Sequence, residues 1–263
     1  MNEIAFIFAG FAVGLVVGLT GVGGGSLMTP ILIFFFGVKP HLAIGTDLLF
    51  ASFTKLGGTI SLARSRVIDW HVVGHVALGS IPAALITIWV LHRMGPTSAH
   101  TLNIMTTTLG ITLVLTAAAT LFKALRGKTA PRYVAPHLLP AATRSQHWTL
   151  PILFGAVVGT LVTLTSVGAG AIGMTVLMLL YPALPLPRIV GADIAHAVPL
   201  TLVAGLGHAS IGSVDWSLLG ILLVGSLPGI WLGSHLVVKA PDRLIRSLLS
   251  VLLAYAGVKL LAM

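Results

Sequence analysis

Only 8% of this 263-residue chain is Asp, Glu, Lys or Arg, while 56% is hydrophobic; an average soluble domain carries about 25% charged residues. With a mean hydropathy of +1.04, that composition excludes a water-soluble globule and a disordered chain, and the absence of cysteine excludes a disulfide framework. What remains is an integral membrane protein that buries apolar surface in lipid as well as in itself.

Apolar runs fall at 4–36, 43–63, 72–91, 101–122, 148–181, 189–210, 216–237 and 244–262. Most have the ~20 residues needed to cross a bilayer. The first follows Met-Asn-Glu, which lacks the basic n-region of a signal peptide, so it is expected to be retained. Two runs, 4–36 and 148–181, are too long for one crossing. Both are interrupted, by Gly21-Val22-Gly23-Gly24-Gly25-Ser26 and by Ser166-Val167-Gly168-Ala169-Gly170-Ala171.

The matched interruptions reflect an internal repeat. A shift of 146 residues aligns Gly24 with Gly170, Asp47 with Asp193, Asp69-Trp70 with Asp215-Trp216 and Pro82 with Pro228. Between 45–84 and 191–230, eleven of forty positions are identical without a gap, where chance gives about three or four. The expected architecture is an all-α polytopic membrane protein of two four-run repeats, each with its first run broken by a Gly-rich loop. The repeats occupy 1–122 and 148–263, joined by an aqueous linker at 123–147 rich in Pro, Arg and Lys.

Loop charge sets the orientation of the halves. If each broken run crosses once, the basic residues divide eight against six. If each is a hairpin, Arg64, Arg66, the five linker charges, Arg188, Lys239, Arg243 and Arg246 share one side, against Lys39, Arg93 and Lys259. Eleven against three is the asymmetry of the positive-inside rule. Inverted repeats are therefore expected, with the linker cytoplasmic and both termini outside. The net charge of +9 is then mostly a matter of orientation, and no basic stretch sits on a soluble domain to bind nucleic acid.

Gly10, Gly14 and Gly18 are spaced for close helix packing. The glycine loop beyond them is a different feature. A helix broken at lipid depth is tolerated only where the freed backbone is buried in protein or lines a polar cavity. Ser26 is a candidate N-cap for an arm starting near Leu27, and a helix N-terminus is an anion site needing no charged side chain. Matched Gly-interrupted runs in two halves point to a secondary transporter's midplane site. Backbone N–H groups around Gly23, Gly24, Gly25 and Ser26, and around Val167, Gly168 and Gly170, are the candidate oxyanion donors, with Thr46 assisting. The loop is not a P-loop or a dinucleotide fingerprint.

Ionisable residues inside apolar runs are Asp47, Lys55, Asp193, His196 and His208; such groups usually face a bundle interior and mark a pathway. Asp47 and Asp193 are repeat counterparts, read either as helix-start carboxylates or as proton- or cation-coupling groups. His196 shares a helix face with Asp193 at i+3, as a relay or a structural partner. Lys55 lies ~12 Å along the helix from Asp47 and is a candidate counter-charge. Asp69-Trp70 and Asp215-Trp216 suit N-caps and the interfacial belt, and Pro82 and Pro228 suit helix kinks. No metal site, cofactor or nucleophile motif is expected.

Gly18-Leu-Thr-Gly-Val-Gly-Gly-Gly-Ser26 with Pro30, then Ala43-Ile-Gly-Thr-Asp47 and Val67-Ile-Asp-Trp70, resembles the first half of the sulfite exporter TauE/SafE family. Gly191-Ala-Asp193-Ile-Ala-His196, Val214-Asp-Trp216 and Gly225-Ser-Leu-Pro-Gly229 resemble its second half. The resemblance covers the whole chain apart from the linker. It implies a polytopic inner-membrane carrier, not an enzyme, that moves sulfite or a small organosulfur anion. The family's common Gly-Thr-Ser is Gly45-Thr46-Asp47 here, and Gly-Ala-Asp in the second half. An added carboxylate near an anion site repels substrate unless protonated or paired, which favours proton coupling. The second loop carries Ala169 and Ala171, so the half-sites need not be equivalent. The alternative readings are an intramembrane enzyme using the paired aspartates as acid and base and a membrane assembly factor. Convergence of the two carboxylates on one cleft would favour the enzyme.

Overall fold

A computed structural model describes residues 2–20, 25–125, 149–168, 170–236 and 242–262. These residues form ten α-helices and no strand: α1 (Asn2–Thr20), α2 (Gly25–Phe36), α3 (Pro40–Arg64), α4 (Trp70–Met94), α5 (Ala99–Leu125), α6 (Thr149–Thr165), α7 (Ala171–Leu180), α8 (Leu186–Ser210), α9 (Trp216–Leu236) and α10 (Asp242–Leu261). The two overlong runs each resolve into two helices, so each half has five helices rather than four unbroken runs. The repeat offset reproduces the boundaries: α3 and α8 are both 25 residues, beginning at 40 and 186.

Local chemistry sets the helix ends. Asp69 caps α4 by accepting the N–H groups of His71 (3.2 Å) and Val72 (3.4 Å), and its counterpart Asp215 accepts from Leu218 at 2.9 Å before α9. Both caps are as expected, and the Trp that follows each is more than half exposed. α2 begins at Gly25, so Ser26 stands inside its first turn and not at the cap. Pro82 and Pro228 lie within α4 and α9, each one continuous helix.

α4, α5, α8 and α9 contain spans long and apolar enough to cross a membrane. α1, α2, α6 and α10 hold shorter apolar stretches. The outer surface is built for lipid: Leu78, Leu85, Ile86 and Trp89 project from α4, while Val72, Val73, Val76, Ala84 and Leu91 on its other side are buried.

The halves exchange helices. α1 packs most extensively on α9, and its counterpart α6 packs on α4, the counterpart of α9. Both seams are made by glycine. A Cβ on Gly10 would meet the Leu222 carbonyl at 2.5 Å, and one on Gly14 would strike the Ser226 carbonyl. On the facing side, Gly225, Gly229 and Gly233 lie against Ile7, Phe11 and Leu15. The pairing 10–222 and 14–226 shows α1 and α9 running parallel. Gly155 against Val76 and Gly159 against Ser80 give α6 and α4 the same direction. Backbones this close gain dispersion contacts without a hydrophobic driving force, as packing within lipid requires.

The helices paired with their own counterparts run the other way. Gly45 meets His208 and Ser213, Gly205 meets Leu49, and Gly58 meets Ile194, so α3 and α8 are antiparallel. Gly110 against Leu261 and Gly257 against Val114 make α5 and α10 antiparallel as well.

Candidate functional site

α2 joins α3 through 37–39, and α7 joins α8 through 181–185. Each pair folds back as a hairpin, and each hairpin brings a half-helix against an aspartate. In the first, the Thr29 hydroxyl of α2 donates to Asp47 Oδ2 of α3. In the second, a Cβ on Gly173 of α7 would strike Asp193 Oδ1 of α8. The two aspartates are thus equivalent in space as well as in sequence. Asp47 is fully buried and Asp193 is 6% exposed.

The carboxylates do not converge. α3 and α8 cross where Ser52 meets Val198. Asp47 stands five residues before Ser52, and Asp193 five before Val198, on antiparallel helices. Their levels are therefore about 15 Å apart at 1.5 Å per residue. The two carboxylates therefore do not form the closely spaced acid–base pair that the intramembrane-enzyme alternative calls for.

Lys55, 8% exposed on α3, lies within electrostatic reach of both Asp193 and Asp47. His196 of α8 is buried and joined by Nε2 to Ser80 Oγ of α4 at 2.7 Å. These two residues break the symmetry, because the counterpart of Lys55 is Thr201 and that of His196 is Phe50. Thr201 turns its hydroxyl onto the Ala197 carbonyl at 2.8 Å.

The break between α6 and α7 is forced by its backbone. Ser166 has φ 59°, Gly168 122° and Gly170 144°. The last two conformations suit glycine alone, which gives the expected Gly168 and Gly170 a conformational reason. Ser166 adopts the left-handed region despite its side chain, a strain that persists only where the surroundings hold it. Its hydroxyl faces the Asp47 carboxylate of the other half. The Val167 N–H is already taken by Thr165 Oγ1 at 3.1 Å. Gly170 gives the N-terminus of α7 no side-chain cap, and the Gly173 N–H turns back onto the Gly168 carbonyl at 3.1 Å. Thr46 is fully buried, and its hydroxyl accepts the Asp215 N–H at 3.0 Å. Gly23, Gly24, the Ser26 side chain and linker residues 126–147 lie outside the described residues.

Thr29, Ser166 and Ser80 were not singled out by sequence. A signal for Thr29 was present, since the 146-residue shift pairs it with Thr175. Ser166 and Ser80 act on the opposite half, which no local pattern reveals.

Comparison with known proteins matches residues 6–260 to the family described as sulfite exporter TauE/SafE. The chain belongs to the sulfite exporter TauE/SafE family. It is 37% identical over 259 residues to the "Probable membrane transporter protein YjnA" of Bacillus subtilis (strain 168), covering 98% of this chain and 100% of that one. It is 27% identical over 255 residues to "Probable membrane transporter protein YdhB" of the same organism, covering 95% and 97%. The archaeal "Probable membrane transporter protein MJ0441" of Methanocaldococcus jannaschii is 25% identical over 276 residues, covering 97% and 94%. No solved structure matches. Family membership and the apolar helices make this TauE/SafE protein an integral membrane protein.

Proposed function

We propose that this TauE/SafE protein is a secondary membrane transporter for a small oxyanion, sulfite or an organosulfur anion, driven by protons and built from two inverted halves. The observation that carries the reading is the position of the half-helix N-termini. Thr29 opposes Asp47 across the first hairpin, so Gly25, four residues earlier, stands near the level of Ser52. Gly173 opposes Asp193 across the second, so Ala171 stands near the level of Ala195, about 4.5 Å from that of Val198. Two helix N-termini thus lie close to the crossing of α3 and α8, each presenting a positive dipole end. The Lys55 side chain stands close to that level, within electrostatic reach of both aspartates. An anion in lipid needs such a site.

The antiparallel packing of α3 with α8 and of α5 with α10 supports inversion, because counterparts related by an axis along the membrane normal would run parallel. Rocking of one half on the other at this crossing would give alternating access. Gly25, Ser26, Gly168 and Gly170, with Gly23 and Gly24, are the proposed substrate-binding positions. Asp47, Asp193 and His196 are the coupling groups, and Lys55 is the counter-charge. The protein sits in the cell inner membrane with linker 123–147 cytoplasmic and both termini outside.

Proteoliposomes loaded with the purified protein should take up labelled sulfite or a sulfonate above the level of empty vesicles, and faster with an imposed pH gradient. No flux across a panel of such anions rejects the substrate class. Flux indifferent to the gradient rejects proton coupling.

A further inference from the structure

Five buried side-chain atoms without a hydrogen-bond partner among the described residues line one route through the second half's break: His41 Nδ1, His208 Nδ1, Ser213 Oγ, Ser166 Oγ and Asp47 Oδ1. Their residues are 6%, 1%, 1%, 5% and 0% exposed. The connections can be followed step by step. His41 is one turn before Gly45 on α3, and a Cβ on Gly45 would strike the Ser213 carbonyl and lie 3.0 Å from His208 Cβ. His41 therefore stands over His208 and Ser213, and the two imidazoles are within electrostatic reach. Ser213 is tied to His208 through its N–H at 2.8 Å. His208 Nε2 donates to the Thr163 carbonyl at 2.9 Å, which leaves Nδ1 as the unpaired nitrogen. Three residues beyond Thr163 is Ser166, which faces Asp47.

A buried polar atom without a partner costs about 1–3 kcal/mol, and proteins meet that cost with ordered water. Ser166 Oγ stands against the Asp47 carboxylate, so the three atoms outside that contact, His41 Nδ1, His208 Nδ1 and Ser213 Oγ, are the ones that call for water, and they mark a path toward it. We propose that this path, opening beside Lys39, delivers protons to Asp47 from the face where α3 begins and α8 ends. The inference rests on the proton-driven reading above and adds its route and its side. A proton arriving there bonds to Asp47 Oδ1 as the O–H bond of the last water breaks, and that water is reprotonated from the next toward Lys39. The charged groups bearing on the path are Lys39 on His41 and Lys55 on Asp47. The repeat does not duplicate the outer part of the route: the counterparts of His41, His208 and Ser213 are Pro187, Leu62 and Val67.

The chain has no cysteine, so single cysteines can be read without background. Ser213→Cys and Ser166→Cys should react with a charged methanethiosulfonate about tenfold faster than Thr112→Cys, since thiol reactivity follows exposure to water. Thr112 is equally buried (1% exposed), but its hydroxyl is satisfied by the Thr108 and Leu109 carbonyls. In sealed vesicles, both path positions should label from the same side as the exposed Lys39→Cys and not from the side of Arg66→Cys. Rates equal to Thr112→Cys, or labelling from the Arg66 side, overturn the path. Radiolytic hydroxyl-radical labelling of the unsubstituted protein gives a second reading independent of folding in the variants. His208 should be oxidised faster than His196, and equal protection of the two overturns the proposal. Labelling as expected without anion flux leaves the path standing and rejects the substrate; pH-driven flux without labelling does the reverse.

Discussion

The Ser52 hydroxyl donates to the Val198 carbonyl at 3.4 Å, and the two residues are separated by 146 positions, the offset of the internal repeat. The contact therefore joins two repeat counterparts, one on α3 and one on α8. Cysteines placed together at 52 and 198 should therefore cross-link under mild oxidation. The link is read on a gel after cleavage at a protease site inserted in the linker. If the halves rock at this crossing, the linked protein should lose flux and regain it on reduction, while neither single variant responds.

Orientation is expected from the loop charges. Reporter fusions at Met263 should report the outer side. Lys39→Cys and Lys259→Cys should label together from one face of the membrane, and Arg66→Cys from the other. A cytoplasmic Met263 would overturn the topology with the linker cytoplasmic and both termini outside.

The glycine seams are intolerant in a way other glycines are not. Gly14→Leu and Gly79→Leu push a side chain into the Ser226 and Ile152 carbonyls, and overpacking of this kind costs about 1–3 kcal/mol or more. Nothing lies within 4 Å of a Cβ built on Gly74. Gly74→Ala should leave the thermal melt in detergent unchanged or raise it slightly, whereas both seam variants should melt earlier or fail to elute as a single species.

Lys55→Thr gives the first half the residue that its counterpart, Thr201, already has. If Lys55 balances the anion, the substrate concentration for half-maximal flux should rise on the order of tenfold, equivalent to about 1.4 kcal/mol. Asp47→Asn should abolish the response of flux to a pH gradient. Thr29→Val, which removes the hydroxyl donated to Asp47, should shift the pH profile without abolishing it.

Ser80 and its counterpart Ser226 separate a long-range bond from a local one. Ser80 meets His196 at 2.7 Å across 116 residues of sequence, whereas Ser226 bonds the Leu223 carbonyl of its own helix. Ser80→Ala leaves a buried imidazole nitrogen unpaired and should destabilise the protein by about 1–3 kcal/mol. Ser226→Ala should cost less, and paired melting curves in detergent compare the two.

The sequence alone determined the membrane setting, the duplication, the two broken runs and the equivalence of Asp47 with Asp193. These are properties of composition, run length and register, which act locally along the chain. It also placed the Asp69 and Asp215 caps, because a cap is satisfied within three residues. It did not reveal that α1 pairs with α9, that Ser166 reaches Asp47 across the halves, or that His41 and His208 open a route to that carboxylate. In a soluble helix, the apolar stripe would mark the buried face. Here the lipid-facing and interior faces are alike apolar, so periodicity does not say which way a helix turns. Only the tertiary packing, set by where glycines let backbones meet, decided which buried polar groups share a site.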